Sequence, residues 1–282
     1  MSFRALLFVV IIAALLAAAL TYSHALRRWN ARTAQWQQQL LAAANAATPA
    51  TTDLSSLPPP VARWLRAVLH ANERPPRRVQ VSWHGEFNLG EPGRDRWVPF
   101  TATQLFVPGA PGFVWDAQMR AAPGVTVNVR DAYLAGRAAM QGKALALFTV
   151  VDREGGGDLA PAALQRYLGE LLWLPAGLLP SPTLRWEPLD AQRARATLTD
   201  GDIQAALEFH FAADGMVERV WTAQRTFDDG KRAPSVHPWQ ARVLDWGEVD
   251  GMCVPTDAVV EWLLPGGPYA YWRGKPVAIV RE

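Results

Sequence analysis

Along much of this chain, hydrophobic and polar residues alternate with a period of two. This is the pattern of antiparallel strands that are covered on one face. The clearest run covers residues 78–89, and residues 113–120 and 125–130 repeat it. Residues 97–107 and 143–151 are more evenly apolar, so we predict that they form inner strands.

The second half of the chain carries turn signals between its strand-like runs. Asp200-Gly201, Asp214-Gly215 and Asp250-Gly251 each separate two such runs, and Asp-Gly is a strong short hairpin signal. Residues 269–273 and 277–281 would complete the sheet. No pattern of helical crossovers supports a parallel sheet. We therefore predict a mainly β (α+β) fold: a curved antiparallel sheet, or half-barrel, of about ten strands.

One segment, residues 158–179, interrupts the strands with a helical period. Its apolar stripe consists of Leu164, Tyr167, Leu168, Leu171 and Leu172. Asp158 is a candidate N-cap, Pro161 lies in the first turn, and Pro175 should end the helix. We expect the sheet to wrap around this single internal helix.

The opposite side of this helix carries Arg166, Glu170 and Trp173. One interpretation is a solvent-facing ion pair worth about 0.3–0.5 kcal/mol beside a partly exposed Trp. The other is a partly enclosed polar cluster, because a sheet curved over the helix would place the pair in a low-dielectric interior. Such a pair would pin the helix, which is the role we favour, or contact a polar ligand head.

The N-terminus predicts a membrane segment. Residues 5–26 contain no charged side chain and would form a helix of about 33 Å, enough to cross a bilayer. A cleavable signal peptide is the alternative, with Ser23-His24-Ala25 as its cleavage site. We favour a retained single-pass anchor, because the apolar run is long and Arg27-Arg28 follow it at once.

Three further divisions follow from composition. Residues 1–25 form the anchor or uncleaved signal, and residues 26–56 a helical stalk and Pro-rich linker. The stalk has one line of larger side chains: Trp29, Thr33, Trp36 and Leu40. A short helix should begin at Pro59-Pro60. Residues 57–282 then make a single β-rich domain.

The charge pattern limits partners and placement. A net charge of +2 with interspersed signs gives no case for nucleic acid. Arg27, Arg28 and Arg32 would keep the domain cytoplasmic under the positive-inside rule, but large domains can translocate despite it. We place the anchor in a bacterial inner membrane with the domain in the periplasm. The single Cys253 excludes an internal disulfide and a Cys-rich metal site.

The sequence lacks the familiar signatures of catalysis. There is no G-x-S-x-G elbow, P-loop, dinucleotide-binding glycine pattern or H-E-x-x-H. Two His/carboxylate pairs, His84 with Glu86 and Glu208 with His210, each share one strand face. We interpret both as solvated surface residues. We therefore predict no metal, no cofactor and no catalytic residue.

The chain resembles a bacterial family known only as a domain of unknown function, over about residues 57–280. The matching stretches are Leu57-Pro58-Pro59-Pro60-Val61 with Trp64-Leu65, residues 97–104, residues 111–115, Asp131-Ala132-Tyr133, Arg166-Tyr167-Leu168-Gly169-Glu170 with Trp173 and Pro175, Pro238-Trp239, residues 251–255, and Trp262. The family pattern has a glycine pair after the tyrosine, whereas Ala135-Gly136 here has one glycine. The resemblance implies no activity and no catalytic residues.

The order of strands and helix also resembles the half-barrel of lipoprotein carriers of the LolA/LolB type, which encloses helices and an apolar cavity. Thirteen Trp suit cores, membrane interfaces and ligand walls alike. Our leading hypothesis is a non-catalytic, membrane-anchored module that binds a hydrophobic or lipid-like ligand, or an envelope protein partner not yet identified, in the concavity of its sheet. Its candidate ligand-binding residues are Gln104, Trp115, Arg166, Tyr167, Glu170 and Trp173.

Two other functions stay open. One is a hydrolase-like enzyme whose site combines Glu170 and Arg166 with a strand-borne His or Asp such as Asp116. The other is a structural or assembly role in the envelope, for which an exposed apolar patch without a cavity would be typical.

Overall fold

One antiparallel sheet of thirteen strands dominates the computed structural model, which describes residues 2–44, 52–70, 73, 75–228 and 233–282. The strands are β1 Val79–Asn88, β2 Trp97–Phe106, β3 Phe113–Ala122, β4 Val125–Leu134, β5 Arg137–Ala144, β6 Phe148–Gly155, β7 Leu184–Pro188, β8 Arg193–Asp200, β9 Ile203–Phe211, β10 Val217–Phe227, β11 Ser235–Val249, β12 Met252–Leu264 and β13 Gly267–Arg281. The helices are α1 Phe3–Ala44, α2 Pro59–Val68 and α3 Leu159–Glu170. The predicted fold class is confirmed.

The sheet is two meanders joined at the middle. Its order is β6-β5-β4-β3-β2-β1-β13-β12-β11-β10-β9-β8-β7, so the first and last strands pair at the centre. Short turns suffice for such neighbours, and the Asp-Gly turns confirm this. Asp250 and Gly251 take φ angles of 48° and 73° between β11 and β12, the left-handed conformation that a tight hairpin turn needs.

The strands differ from the predicted ten at three places. Residues 143–151, predicted as one inner strand, contain the turn between β5 and β6. That prediction was wrong, because the apolar run continues through the turn and into an exposed edge strand. Residues 269–281, predicted as two strands, form the single strand β13, and β7 was not predicted.

Helix α3 lies in the concavity of the sheet, packed most extensively against β9 and also against β4 and β5. Its stripe of Leu164, Tyr167 and Leu168 is buried, as predicted. The 3-10 turns Leu171–Trp173 and Pro175–Leu178 continue the segment. The predicted cap was wrong, because Asp158 has helical φ and ψ and its side chain makes no capping hydrogen bond.

Contacts across the concavity draw the two meanders together around α3. The Tyr133 hydroxyl on β4 donates to Asp200 Oδ2 at the end of β8, at 2.7 Å. Arg153 on β6 pairs with Asp228, which follows β10, at 2.6 Å. The sheet therefore encloses both sides of the helix.

Helix α1 has two different halves. Its N-terminal part is apolar and long enough to cross a membrane, with a mean hydropathy of 2.7 and none of that window buried. Further along, Trp29, Trp36 and Leu40 are only 5%, 3% and 2% exposed, because they pack on the outer face of β2–β5. The segment predicted as a stalk is helical, as expected, and it lies along the sheet. The Pro-rich linker predicted at the end of residues 26–56 falls partly outside the described residues.

Candidate functional site

The concave face holds a compact polar cluster centred on Arg166. Its Nε lies 2.7 Å from Glu170 Oε1, one helical turn away, and its Nη1 lies 2.7 Å from Asp131 Oδ2 on β4. Gln104 on β2 donates from Nε2 to the other Glu170 oxygen at 2.7 Å. One guanidinium thus pairs with two carboxylates, and helix and sheet are joined at this point.

Aromatic rings surround this cluster without sealing it. The Arg166 guanidinium lies 4.8 Å from the centre of the Phe113 ring and 5.2 Å from that of Trp115. The side chains of Arg166, Glu170 and Asp131 remain 21%, 19% and 16% exposed. Solvent therefore reaches the charged groups inside the curve of the sheet, and the enclosed interpretation of this helix side is confirmed.

Burial and pairing act in opposite directions on the ionisation of the cluster. Burial raises the pKa of Asp131, and the Arg166 charge only partly offsets it. Burial by itself lowers the pKa of Arg166, but the negative charges of Glu170 and Asp131 raise it by more, so the pKa of Arg166 is raised overall. Arg166 therefore stays charged, whereas Asp131 takes up a proton more readily than an ordinary aspartate.

A second guanidinium, Arg225 on β10, faces the same interior. It donates to Gln165 Oε1 on α3 at 3.1 Å and lies 4.6 Å from the centre of the Trp239 ring. Burial lowers its pKa, and the nearby Tyr271 opposes that shift. Arg225 makes no ion pair with a carboxylate within the described part of the chain.

The six predicted ligand-binding residues have different positions. Arg166 and Glu170 are accessible and in contact. Gln104 and Trp115 adjoin them but are only 1% and 3% exposed. Two others lie within the packed core: Tyr167 donates to the Val107 carbonyl, and Trp173 donates to the Pro255 carbonyl and meets the Trp83 ring edge-on, with ring centres 4.9 Å apart.

Sequence reasoning missed two members of the cluster. Asp131 stood in a motif of the family resemblance, Asp131-Ala132-Tyr133, which was a usable signal. Arg225 had none, because simple alternation from Val220 places residue 225 on the outer face. A β-bulge between Thr222 and Arg225 reverses the alternation and turns Arg225 inward.

Asp116, which the enzyme hypothesis gave as an example of a strand-borne acid at the inner site, lies on the outer face under α1. Its carboxylate accepts hydrogen bonds from Trp29 Nε1, at 3.1 Å, and from the Thr33 hydroxyl. Arg130 lies 3.9 Å away, with its guanidinium 4.0 Å from the centre of the Trp29 ring. Burial raises the pKa of Asp116 and lowers that of Arg130 to about 10. This cluster fixes α1 to the sheet.

The two His/carboxylate pairs lie on the outer face. His84 is exposed, as predicted. His210 was not predicted correctly, because Arg219 covers it at 3.2 Å and leaves it 8% exposed. No group of three or more His, Cys, Asp or Glu suited to a metal occurs among the residues that the structure describes.

Two surface hollows lie outside the concavity. One, of about 400 Å³, is at the β3–β4 turn and is lined by Arg120 and residues 122–126. The other, of about 510 Å³, lies beside the C-terminal part of α1. Within the concavity itself, Trp83, Trp173 and Trp272 pack edge to face. The accessible part of the concavity is the polar cluster and its aromatic rim.

Comparison with solved structures finds distant likenesses. A LolA superfamily protein, NE2245 from Nitrosomonas europaea, has a TM-score of 0.42 and 9% identity over 79% of this chain and 92% of its own. A β-barrel-like DUF1849 protein from Brucella abortus has a TM-score of 0.26 and 12% identity, and the match covers 74% of this chain and 100% of that protein. A porin-like protein from Bacteroides uniformis has a TM-score of 0.26 and 9% identity, and the match covers 74% of this chain and 97% of that protein.

Comparison with curated proteins finds no match. A family model, in contrast, matches residues 47–274, which include β1–β12, α2, α3 and all members of the polar cluster. The resemblance seen in the sequence is thereby confirmed, and the chain belongs to the Family of unknown function (DUF6544).

Proposed function

We propose that this protein is a membrane-anchored binding module that holds a hydrophobic or lipid-like molecule with a polar head at the concave face of its sheet. We place its single-pass anchor, the N-terminal part of α1, in a bacterial inner membrane with the domain in the periplasm. The observation that carries the proposal is the cluster of Arg166, Glu170, Asp131 and Arg225, which remains accessible inside an aromatic wall.

The cluster has the chemistry of a head-group site. Its two guanidinium groups and two carboxylates balance in charge, so it offers donors and acceptors without a strong net field. Hydrogen bonds in such a poorly solvated place are stronger than in water. Arg225 donates to an amide rather than to a carboxylate, so a polar head could accept from its guanidinium while the Arg166 pairs stay intact.

The rim suits the apolar part of such a ligand. Phe87, Phe227, Trp262 and Tyr271 are only partly buried and contact one another, with Phe227 and Trp262 ring centres 5.1 Å apart. Aromatic walls with a few placed polar groups are typical of small-molecule sites. A protein segment with one polar side chain among apolar ones would fit the same surface, so an envelope partner is the alternative occupant.

The arrangement favours binding over reaction. Arg166 holds both carboxylates and Gln104 holds the second oxygen of Glu170, so Glu170 is paired at both oxygens. The other oxygen of Asp131 is buried and has no hydrogen-bond partner among the described residues. The five residues Gln104, Asp131, Arg166, Glu170 and Arg225 include no Ser or Cys nucleophile and no His, and His237, opposite Arg225 on β11, contacts Phe227 of the rim.

The enzyme hypothesis asked for a strand-borne His or Asp beside Glu170 and Arg166. Asp116, its example, lies on the other face of the sheet, and Asp131, the strand-borne acid that does lie here, is paired with Arg166.

The test is recovery of the ligand. We would extract the full chain in mild detergent and examine it by native mass spectrometry, then measure displacement of a lipid-like fluorescent probe. We expect bound molecules of lipid mass, and we expect Arg225→Gln to weaken probe binding about tenfold, the effect of one lost charge-assisted hydrogen bond of about 1.4 kcal/mol.

Arg273→Gln is the matched control, because Arg273 also stacks on a Trp, at 4.4 Å from the centre of the Trp97 ring, but on the outer face. Its probe binding should equal that of the unaltered chain. Repeated recovery of ligand-free protein, together with no probe binding, would overturn the proposal. Equal losses of probe binding in both variants would show that the probe binds outside the polar cluster.

A further inference from the structure

The contacts of α1 establish which end of the sheet faces the anchor. Trp29 of α1 contacts Asp116, and Leu40 further along packs over Gly112, where an added Cβ would lie 2.4 Å from its Cδ1. These contacts advance about 16 Å along the helix and about 13 Å back along β3. The axes are therefore roughly antiparallel, and the apolar half of α1 extends toward the β3–β4 turn.

The β3–β4 turn reaches the level of the apolar helix segment. Pro123 is seven residues beyond Asp116, about 23 Å of strand, which equals about 15 residues of helix. Counted back from Trp29 toward the N-terminus of α1, the turn therefore lies about level with residue 14. Even at a crossing angle of 60°, the turn would reach about residue 21, still inside the apolar segment of residues 5–26. An α1 that crosses a bilayer thus brings this turn to the lipid.

A second hairpin lies beside it, and the composition of both is unusual. Leu145 N–H, in the β5–β6 turn, donates to Thr126 O at 2.8 Å, so the two turns are in contact. We define the hairpin end as residues 117–129 and 142–151. It contains no Asp or Glu, and its only charged side chains are Arg120 and Lys143.

The hairpin end also exposes large apolar side chains. Phe148 and Val150 are 66% and 65% exposed, more than any other large hydrophobic residue outside α1 in the described part of the chain. The turn before them uses Leu145 and Ala146 at φ 52° and 56°. This left-handed conformation is unfavourable for residues other than glycine, and Asn-Gly would adopt it more easily. The chain keeps an apolar turn where a polar one would fold more easily.

We propose that the hairpin end is a lipid-binding surface that inserts into the interface of the bilayer crossed by α1. The register places Arg120 and Lys143 at about the same level as Phe148 and Val150. Phe148 and Val150 lie at the boundary of the acyl chains, and the long side chains of Arg120 and Lys143 extend back to the phosphates. Apolar tips with basic neighbours bind in this way, and anionic lipids strengthen the contact. The inference rests on the membrane anchor of the proposed function and goes beyond it, because a flexible tether would also anchor the domain without this contact.

Site-specific labelling of the full chain tests the inference. In a Cys253→Ser background, single cysteines replace Phe148, Val280 or Leu15, and each carries an environment-sensitive NBD probe. The labelled chains are reconstituted into phosphatidylcholine vesicles with or without phosphatidylglycerol, and a nitroxide-labelled lipid serves as quencher. Val280 is the control, because it is apolar and 54% exposed but lies on β13 at the end of the sheet away from the β3–β4 turn.

We expect blue-shifted, quenched emission at positions 148 and 15, and unquenched emission at position 280. With phosphatidylglycerol present, Arg120→Gln combined with Lys143→Gln should reduce quenching at position 148 by at least about twofold, because both charges that attract the anionic lipid are removed. Quenching at position 15 without quenching at 148 would overturn the inference and leave the anchor intact. Quenching at neither would overturn the anchor and the inference with it.

Discussion

Arg166 should be the most sensitive residue of the inner cluster, because one guanidinium pairs with two carboxylates. Arg166→Gln removes both ion pairs at once and leaves Glu170 and Asp131 facing each other in a partly buried place. Breaking a buried pair costs about 3–5 kcal/mol. Since these side chains are still about one-fifth exposed, we expect the lower half of that range, about 3–4 kcal/mol.

Glu170→Gln should cost less, about 1–2 kcal/mol, because Arg166 keeps Asp131 and an amide can still meet Gln104. The double variant should cost less than the sum of the two, with a coupling energy of at least about 1 kcal/mol. For a domain of this size, each kcal/mol lowers Tm by about 2–4 °C. Arg166→Gln should thus melt about 6–16 °C below the unaltered chain.

The assay is thermal and urea unfolding of the full chain in detergent, followed by Trp fluorescence and circular dichroism. Arg193→Gln is the control, because Arg193 also pairs with an acid, Asp190, at 2.7 Å but both side chains are nearly half exposed. It should leave Tm almost unchanged. Small, equal and additive losses for Arg166→Gln and Glu170→Gln would refute the argument that this cluster pins the helix.

Three other predictions concern different parts of the fold. Burial lowers the pKa of His210 below 6.5, so the unfolded chain binds more protons than the folded one at low pH. The free energy of unfolding should therefore fall as pH drops below 6.5, by at most about 1.4 kcal/mol per pH unit. His210→Gln should flatten that loss in pH-dependent unfolding, whereas His84→Gln should not. Ala135 has a φ of 47° in the β4–β5 turn, so Ala135→Gly should raise stability by up to about 1 kcal/mol in urea unfolding, and a loss would contradict the strain. A chain that begins at residue 57 lacks the α1 cover over Val107 and Val114, so it should bind more hydrophobic dye and melt lower than a chain that begins at residue 27; identical behaviour would show that the packing of α1 contributes nothing.

The parts of the fold that depend on local pattern were predictable. Alternation identified β1, β3 and β4, and Asp-Gly pairs located three hairpins of the second meander. The helical stripe of Leu164, Tyr167 and Leu168 identified α3 as the helix inside the sheet. In each case one face of the element is buried, and this burial gives the sequence a hydrophobic period that can be recognised within a single strand or helix.

The remaining features depend on irregularities or on distant partners. The bulge that turns Arg225 inward has no mark in residues 222–225, because it arises from pairing with β11. The apolar run of residues 143–151 indicated a buried strand, but it contains an exposed turn. Periodicity shows that Trp29 and Trp36 share a helix face, but it does not reveal that β3 and β4 cover this face.

The strand pair β3 and β4 carries both polar clusters, one on each face. Asp116 pairs across the ladder with Arg130, and the next pair is Trp115 with Asp131. Successive residues of a strand point to opposite faces, so Asp116 and Arg130 meet α1 outside while Trp115 and Asp131 meet Arg166 of α3 inside. Helix, strand pair and helix are thereby stacked at one level, each helix held by an arginine that lies against aromatic rings. Helix α1 and the groups around Arg166 are thus separated by no more than the thickness of a single sheet, and the same two strands hold both helices.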